Sequence, residues 1–429
     1  MVIHTVRAGE TLTEIAGAYG VAPGLVARVN GLRQPYPLAV GQSLLILTPA
    51  QLHTVQPGET LWTIAGRCGI SPLALLRNNP NLEGRASLYP GQILVVAWTD
   101  VPTRDADVNG YAYPYVDEAV LRGILPYTTF LTPFTYGISA AGGLVQLEDR
   151  RLVALAGQYG AAAWMHLSTL TESGVFSNDR AAQVLRDPAA QEALAQLAVE
   201  RAALLGYRGI DVDFEFIDPE QAELYAEFVG RLRRLANAQG MEVVTALAPK
   251  VSAAQAGVLY EGHNYRLLGE NSDAVLLMTY EWGYTYGPAM AVAPVLAVRR
   301  VLDYAVTEIP PEKIFMGFPN YAYDFAHPYV AGISRARSLS NPGAVELAIA
   351  VGAEIHYDET AQTPYFYYTD DGGVVHEVWF EDARSSLAKF RLVEEYGFRG
   401  LGYWNFMRPF PVNFSLLNVC FRVRYGAGR

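Results

Sequence analysis

Residues 206–217, written GYRGIDVDFEFI, decide the fold that we predict for this chain. Asp211, Asp213 and Glu215 alternate in this stretch with apolar residues, and successive side chains of a β-strand point to opposite faces. On a strand, the three carboxylates would therefore line one face and the apolar side chains the other.

Helix signals flank the stretch on both sides. Asp187–Pro188 predicts the start of a helix that runs to about Leu205 and ends at Gly206, and Asp218–Pro219 predicts another that runs to about Gly240. A strand between two helices is normally buried and apolar on both faces. Three acids on such a strand indicate a functional site. The alternatives are a solvated face of an antiparallel strand and a divalent-metal site, for which no further ligand cluster lies nearby.

The spacing of the acids favours general acid–base chemistry. Two carboxylates two residues apart on one face repel each other, so one of them is expected to stay protonated near neutral pH. A protonated carboxyl group can donate its proton to a glycosidic oxygen. Glu215 is nearest the carboxyl end of the strand, where the catalytic groups of a parallel barrel lie, and we predict that it is this acid.

The row of acids resembles the DxxDxDxE signature of family 18 glycoside hydrolases, the chitinase-like (β/α)8 barrels. The resemblance implies that Glu215 is the proton donor, that Asp213 orients the acetamido group of the substrate, and that Asp211 supports Asp213 from behind. Arg208 stands at the first position of the signature, so we expect the packing at the base of the strand to differ from that of the family.

Short β-branched and aromatic runs alternate with helical stretches in the rest of the chain. This alternation predicts an α/β fold, a (β/α)8 TIM barrel over residues 110–429, with the acidic strand fourth. The expected strands are Val108–Pro114, Thr128–Tyr136, Ala161–Ser168, Gly209–Phe216, Glu242–Ala248, Ala274–Glu281, Lys313–Pro319 and Gly400–Phe406. An insertion at about residues 324–399 contains the hairpin sequence YFYYTDDGGVVHEVWF, which we expect to form one wall of the cleft.

Further positions in the predicted barrel match the same family. The sixth strand ends in MTYEWGY, where Met278 and Tyr280 share a face; by resemblance the Tyr280 hydroxyl holds the acetamido carbonyl, and a hydroxyl satisfied inside the core is the alternative. The family usually has Asp directly after that Tyr, and Glu281 stands here. The resemblance places these residues at the substrate, with Trp404 as the floor of the sugar pocket: Trp404, Met278, Glu281, Trp282, Tyr111 and Tyr321.

The N-terminal region contains one unit twice, since IHTVRAGETLTEIAGAYGV from Ile3 returns as LHTVQPGETLWTIAGRCGI from Leu52. Each copy predicts a strand, a Gly-Glu-Thr turn, two helices and a strand, and resembles LysM, the βααβ module that binds N-acetylglucosamine-containing glycans. We place the modules at residues 1–49 and 50–98 and a polar linker at residues 99–109. The resemblance implies two glycan grooves, lined by Gly9, Glu10, Thr11, Leu12 and Asn30, and by Gly58, Glu59, Thr60, Leu61, Asn79 and Pro80. A turn followed by a helix cap is the alternative for Gly-Glu-Thr.

Composition limits the possible partners. The net charge of −11 and the absence of a Lys/Arg-rich run argue against nucleic acid and against an anionic membrane. The seven histidines show no metal-ligand spacing, and we interpret them as structural or surface residues. Cys68 and Cys420 are expected to be free thiols. We therefore predict a monomer without metal or cofactor.

The N-terminus and the hydropathy pattern bear on location. No apolar run reaches the length of a membrane helix, and MVIHTVRAGE lacks the charged and apolar regions of a secretory signal peptide. We therefore expect synthesis in the cytoplasm.

Several motifs narrow the resemblance further. GYAYP, GFPNYAYDF and VWFEDA, together with the paired repeats, most resemble the spore-cortex-lytic N-acetylglucosaminidases of endospore-forming bacteria. That resemblance implies retaining, substrate-assisted hydrolysis of N-acetylglucosaminyl bonds in cortex peptidoglycan, and a location in the spore coat or cortex. A secreted-type chitinase and a non-catalytic, chitinase-like lectin are the alternatives.

Overall fold

The structure, a computed structural model, describes residues 1–426 and begins with two βααβ units. The first consists of β1 (Val2–Thr5), α1 (Leu12–Ala18), α2 (Pro23–Asn30) and β2 (Ser43–Ile46). The second consists of β3 (Pro49–Thr54), α3 (Leu61–Cys68), α4 (Pro72–Asn78) and β4 (Ile93–Trp98). In each unit the two strands pair antiparallel, as the repeat predicts.

A series of alternating strands and helices follows. In chain order its elements are β5 (Arg104–Ala112), α5 (Glu118–Ile124), β6 (Phe130–Pro133), β7 (Gly137–Ile138), β8 (Leu144–Val145), α6 (Arg150–Gln158), β9 (Ala162–Ser168), α7 (Asn178–Leu185), α8 (Pro188–Leu205), β10 (Gly209–Asp213), α9 (Ala222–Asn237), β11 (Glu242–Leu247), α10 (Tyr265–Asn271), β12 (Ala274–Leu277), α11 (Val295–Glu308) and β13 (Ile314–Pro319).

The remaining elements are an inserted subdomain and the end of the alternating series. They are β14 (Ala322–Ala326), β15 (Arg337–Leu339), α12 (Asn341–Val351), β16 (His356–Asp358), β17 (Thr363–Thr369), β18 (Val375–Trp379), α13 (Ala383–Tyr396), β19 (Gly400–Trp404), α14 (Pro411–Cys420) and β20 (Phe421–Val423). Four short 3-10 helices complete the described chain, at Pro80–Leu82, Leu125–Tyr127, Pro219–Gln221 and Pro311–Lys313.

Eight parallel strands close into a barrel. The sheet runs β5, β6, β9, β10, β11, β12, β13, β19, and β19 pairs with β5. The predicted TIM barrel is therefore confirmed, with the acidic strand β10 fourth. A ninth parallel strand, β20, pairs beside the first residues of β5, with Phe421 opposite Arg104, and was not predicted.

The flanks of β10 explain why it lies where it does. The Asp187 side chain accepts a hydrogen bond from the Ala189 amide at the start of α8, and Gly206 ends that helix in the left-handed conformation, as predicted. The strand itself ends at Asp213, earlier than the predicted Phe216, which has a φ of 56°. The chain thus turns where the acid row reaches the carboxyl end of the barrel.

The base of the barrel is closed by ion pairs rather than by the missing signature Asp. Arg399 donates from Nε to Asp107 Oδ2 at 2.8 Å and from a terminal nitrogen to Glu242 at 2.9 Å, and Arg424 donates to Asp107 Oδ1 at 2.8 Å. Arg208 is exposed, and its backbone joins both neighbouring strands. Ion pairs between residues far apart in the sequence thus hold this end of the barrel, and the Arg208 side chain is not among them.

The predicted linker is wrong for residues 104–109, which form part of β5. The stretch RDADVN is polar, but its buried polar side chains are paired inside the barrel. Asp107 is held by the two arginines of the base, and Asn109 Oδ1 accepts a hydrogen bond from the Thr132 hydroxyl at 2.7 Å. Composition alone cannot distinguish a solvated polar segment from a strand whose polar side chains are paired.

The inserted subdomain is an antiparallel sheet with one helix. Its order is β15-β14-β18-β17-β16, and the predicted hairpin is β17–β18. The insertion ends before α13, because that helix precedes β19 and packs on α11 and α14 as part of the barrel. The predicted boundary at residue 399 was therefore too late.

Both N-terminal units pack firmly against the barrel. In the first, the Ser415 hydroxyl donates to the Val29 carbonyl at 3.1 Å, and the Ile355 amide donates to Val40 at 2.8 Å. In the second, the Tyr159 hydroxyl donates to the Gly84 carbonyl at 2.7 Å. Buried apolar residues of both units belong to the same continuous core as the barrel. The units are therefore fixed parts of the molecule and not modules on a flexible tether.

Candidate active site

The acid row lies at the carboxyl end of β10. Asp211 and Asp213 pair in register with His166 and Ser168 of β9, and paired residues of parallel strands point to the same side. Glu215 follows two residues after the strand ends. Asp213 and Glu215 line a cavity of about 350 Å³ in this end of the barrel.

Asp211 is the deepest of the three acids. It is fully buried, and the Tyr111 hydroxyl donates to its Oδ2 at 2.7 Å. Burial raises the pKa of Asp211 to about 6, although His166 and the Tyr111 hydrogen bond act in the opposite direction. Tyr111, predicted as a substrate contact, thus has its hydroxyl engaged by Asp211, while its ring lines the cavity.

Glu215 is the member of the row that carries a proton. Burial is the main cause that raises the pKa of Glu215 to about 8, and the charges of Asp213 and Glu281 add to it. Repulsion between neighbouring acids, on which the sequence prediction relied, therefore contributes less than burial. A carboxyl group that is protonated near neutral pH is suited to general acid catalysis.

Buried side chains hold the backbone that carries Glu215. His263 donates from Nε2 to the Phe214 carbonyl at 3.0 Å, and its Nδ1 accepts from the Ala248 amide at 2.9 Å. Burial lowers the pKa of His263, so the ring is neutral with its proton on Nε2. The Tyr225 hydroxyl accepts from the Phe214 amide at 3.4 Å. These contacts fix the turn after β10.

Met278 and Tyr280 follow the end of β12, and both line the cavity, on the side that the period-2 pattern predicts. Tyr280 is 9% exposed. Burial, and then the charges of Asp213 and Glu215, hold the pKa of Tyr280 well above its usual value. The hydroxyl therefore keeps its proton and can donate to a carbonyl oxygen.

Aromatic side chains form most of the remaining cavity surface. Trp404 ends β19, and its ring centroid lies 5.4 Å from that of Tyr111 and 4.9 Å from that of Phe134. The other apolar lining residues are Tyr113, Phe176, Ala246, Pro249, Leu259, Tyr260, Leu276 and Trp282. Such surfaces suit the apolar faces of sugar rings.

Glu281 lies at the rim of the cavity with a φ of 68°. Its carboxylate accepts hydrogen bonds from the Tyr321 hydroxyl and, at 3.2 Å, from the Tyr323 hydroxyl. Tyr321, which we predicted as a substrate contact, is buried, and its hydroxyl reaches the site by its hydrogen bond to Glu281. We predicted that the inserted hairpin forms a wall of the cleft, but within residues 1–426 no hairpin residue lines the cavity. The inserted subdomain instead supports the rim through the hydrogen bond from Tyr323 of β14 to Glu281.

His166 was missed as a site residue. It is fully buried, with Nε2 at 3.5 Å from Asp213 Oδ2 and 4.0 Å from Asp211 Oδ2. The sequence contained a signal, because His166 lies on the predicted third strand, next to the acidic one, and shares a face with Ser168. Reading all seven histidines as structural or surface residues discarded that signal.

The predicted LysM groove residues are largely used by the modules themselves. The Asn79 side chain donates to the Leu75 and Val95 carbonyls and accepts from the Val95 amide, each at 2.8 Å. Asn30 makes the equivalent three bonds in the first module. Leu12 and Leu61 are core residues, 5% and 1% exposed. The side chains of these four residues are therefore engaged within the modules, and their contact with a glycan stays a prediction.

The Gly-Glu-Thr residues form the turn and the cap that the alternative reading described. Gly9 and Gly58 have φ angles of 83° and 82°, and Thr11 and Thr60 accept hydrogen bonds from the third residue of the following helix. Glu10 accepts from the Arg7 amide and from His4, and Glu59 accepts likewise from Gln56 and His53. Pro80 begins a 3-10 helix. The geometry thus accounts for the signature without a glycan.

The described part of the chain offers neither a metal-binding cluster nor a membrane-spanning helix. No cluster of three or more His, Cys, Asp or Glu side chains within residues 1–426 could hold a metal ion. Over the same residues, no helix combines the length and hydropathy needed to cross a bilayer. Cys68 and Cys420 are both free, and burial raises the pKa of the Cys420 thiol to about 12.

Comparison with known families finds two matches. Residues 174–408 match the family described as glycosyl hydrolases family 18. Residues 4–47 and 53–97 each match the LysM domain.

Individual relatives span the whole chain. The chain is 40% identical over 429 residues to the cortical fragment-lytic enzyme of Bacillus subtilis strain 168, covering 99% of both proteins. It is similar in structure to the spore cortex-lytic enzyme SleL of Bacillus megaterium QM B1551, with a TM-score of 0.83, 34% identity, and 99% and 98% of the two chains covered. The SleL structure from Bacillus cereus gives a TM-score of 0.84 at 35% identity, covering 100% and 99%.

Proposed function

The chain belongs to family 18 of the glycosyl hydrolases, and from this premise we infer that it hydrolyses N-acetylglucosaminyl bonds in spore-cortex peptidoglycan with retention of configuration. The observation that carries the proposal is the pairing of a protonated Glu215 with Asp213 in one aromatic cavity. Tyr280 lies in the same cavity and keeps its hydroxyl proton. A proton donor, a carboxylate and a hydroxyl donor thus surround one sugar-sized space.

In the proposed mechanism the substrate supplies its own nucleophile. Asp213 accepts a hydrogen bond from the acetamido N–H, and Tyr280 donates to the acetamido carbonyl, which brings that oxygen to C1. Glu215 protonates the leaving oxygen as the C1–O bond breaks and a cyclic oxazolinium ion forms. Glu215 then takes a proton from water, which opens the ring from the face that the leaving group occupied. Asp211 supports Asp213 from below.

The substrate class follows from the relatives. Proteins that match over nearly the full chain include cortical fragment-lytic and spore cortex-lytic enzymes and a putative sporulation-specific glycosylase. The two LysM domains and the barrel together support binding of an N-acetylglucosamine-containing glycan. Trp404 and the neighbouring aromatic residues would pack against the sugar whose acetamido group reacts.

The proposal is tested on spore cortex itself. Decoated spores, and separately isolated cortex fragments, are incubated with the full chain, and the released muropeptides are analysed by mass spectrometry. We expect new reducing ends at N-acetylglucosamine and none with Glu215→Gln. Cleavage of chitin but not of either cortex preparation would favour the chitinase alternative. Binding to cortex without any cleavage would favour the lectin alternative.

We also propose that the protein is associated with the spore, as the names of its relatives suggest. Synthesis in the mother cell followed by deposition on the forespore is the expected route. A fluorescent fusion should label developing spores. A fusion found mainly in the medium of vegetative cells would contradict this.

A further inference from the structure

His166 lies beside the acid row, and the mechanism above gives it no role. It is buried in β9, with its Nδ1 2.6 Å from the Thr135 hydroxyl oxygen. Its Nε2 lies 3.5 Å from Asp213 Oδ2 and 4.0 Å from Asp211 Oδ2. One ring nitrogen therefore faces both buried carboxylates.

The neighbours of the ring decide where its hydrogen lies. A nitrogen lone pair aimed at two carboxylates would be repelled by both, so Nε2 carries hydrogen. His166 Nε2 and Asp213 Oδ1 are both buried, and neither has a hydrogen-bond partner within residues 1–426. The 3.5 Å separation from Asp213 Oδ2 exceeds a normal hydrogen bond, so a small side-chain movement decides whether the bond is made.

The two carboxylates have different donors. Tyr111 donates to Asp211 at 2.7 Å, and its ring also meets the His166 ring edge-on, with centroids 5.5 Å apart. For Asp213, the nearest facing donor in this strand pair is the Nε2–H of His166, which lies 3.5 Å from Oδ2 and makes no hydrogen bond to it in this geometry. The titratable groups that face His166 are thus Tyr111 from β5 and the two aspartates from β10, while Phe134, Thr135 and Ser168 are neutral.

We propose that His166 is a positioning residue for the reaction: its Nε2–H faces the Asp213 carboxylate and favours the ionised form of that carboxylate, which accepts the acetamido N–H of the substrate. The identity of the substrate group rests on the proposed function. Asp213 lies near enough to Glu215 for its charge to act on the Glu215 carboxyl group. A hydrogen of His166 directed at Asp213 favours the ionised form of Asp213, and the proton then stays on Glu215, where the leaving oxygen needs it.

Two variants separate positioning from packing. His166→Leu keeps most of the side-chain volume and removes the donor, whereas His166→Gln retains an N–H at similar reach. On a soluble N-acetylglucosamine oligosaccharide, we expect His166→Leu to lower kcat about 100-fold with KM changed less than about threefold. The acid limb of its kcat/KM profile should move to higher pH, because Asp213 then competes for the proton. His166→Gln should recover about tenfold of the lost kcat.

A purely structural histidine predicts a different pattern. Both variants would then melt at lower temperature, with the acid limb unmoved and without recovery in His166→Gln. The proposal is overturned if a folded His166→Leu enzyme keeps the acid limb of its kcat/KM profile in place. It is also overturned if His166→Leu keeps the kcat of the wild type. If His166→Leu does not fold, the comparison rests on His166→Gln and on the measurement below.

A spectroscopic experiment needs no turnover. The full chain labelled with ¹⁵N-histidine is examined by NMR, and the His166 ring signals are identified by their loss in His166→Gln. We expect a protonated, exchange-protected Nε2 in the free enzyme, and a change in its shift when a thiazoline mimic of the oxazolinium ion binds. An unprotonated Nε2 in the free enzyme would refute the proposal. Absence of glycan cleavage by the wild-type enzyme would instead count against the proposed function.

Discussion

The barrel and the LysM modules each carry a recognisable signature, but the structure uses the two signatures in opposite ways. In the barrel, Asp213 has a buried oxygen to which no group of the described chain donates a hydrogen bond, and the pKa of Glu215 is raised to about 8 beside a cavity. In the modules, Asn30 and Asn79 direct their amide groups to the backbone of their own unit. The barrel signature therefore leaves carboxyl groups available to a substrate, whereas the module signature uses its amide groups to hold the fold.

This contrast teaches how far a signature residue can be interpreted. A polar residue is a candidate for a site when the fold leaves part of its hydrogen-bonding capacity unused and directed at a cavity. A polar residue whose donors and acceptors are all paired inside its own unit contributes to the stability of that unit instead. Changes in the barrel should therefore alter activity and spare the fold, and changes in the modules should do the reverse.

The largest effect is expected for Glu215→Gln. Without a proton donor to the leaving oxygen, kcat should fall about 10³-fold, which is within the range for loss of a general acid. Kinetics on a soluble N-acetylglucosamine oligosaccharide measure this. Thermal melting should show a folded protein, because Gln has nearly the same size and shape as Glu. Turnover comparable to that of the wild type would remove Glu215 from the proposed mechanism.

The next effect concerns the acetamido group that Asp213 and Tyr280 are proposed to hold. A de-N-acetylated oligosaccharide lacks the internal nucleophile, so we expect cleavage at least about 100-fold slower than for the acetylated substrate. A thiazoline mimic should inhibit competitively, because it resembles the state that the site is proposed to stabilise. Rapid cleavage of the glucosamine substrate together with no inhibition would contradict substrate assistance, even if Glu215 proved essential.

The sequence allowed most of the barrel to be predicted, because its signals are local. Period-2 alternation, helix caps and the Gly206 stop are all readable within a few residues, and all eight barrel strands were found. The first strand was misjudged at its start because Asp107 and Asn109 are polar but paired with distant residues. The partner Thr132 lies on β6 and the partner Arg399 directly precedes β19, so neither gives a local signal.

The site was predicted only in part for the same reason. The alternating acids and Tyr280 follow from spacing and resemblance. The contact of His166 with Asp213 depends on the register of two neighbouring strands, and the role of Tyr321 depends on a contact with Glu281 across 40 residues. In the modules, resemblance suggested glycan contacts for residues whose side chains are engaged within the fold, and those contacts stay a prediction.

Asn79→Ala tests the module side of the comparison. Three hydrogen bonds of a side chain that is 2% exposed are lost, and the Val95 amide is left without its partner. We expect a loss of about 2 kcal/mol in the free energy of unfolding, measured by urea denaturation, and an unchanged kcat on soluble oligosaccharide.

Two matched variants serve as controls for Asn79→Ala. Asn30→Ala removes the equivalent bonds of the first module and should cost a similar amount. Asn81→Ala, at an exposed position, should change stability by less than about 0.5 kcal/mol. Weaker glycan binding by Asn79→Ala with unchanged stability would reverse our assignment of this residue.

The smallest effect is expected at Glu281. This residue combines the two situations compared above, because it faces the cavity like the acids of the barrel and is hydrogen-bonded by tyrosines within the fold. Its negative charge is one cause of the raised pKa of Glu215, after burial and Asp213. Glu215 must be protonated to act as an acid, so activity falls as the pH rises through its pKa. Glu281→Gln removes the charge and should lower the pKa of Glu215. The basic limb of the kcat/KM profile should then move to lower pH by about half a unit.

Tyr323→Phe is the matched control, because it removes a hydrogen bond to Glu281 and retains the charge. Its basic limb should not move to lower pH.

The same variant pair also tests the mechanism. If Glu281 were the nucleophile of a two-carboxylate mechanism, Glu281→Gln would abolish turnover at every pH and would not merely shift the profile. A limb that stays in place, or moves to higher pH, would show that Glu281 does not act on Glu215 through its charge. Glu281 would then join the asparagines of the modules as a residue whose polar groups serve the fold.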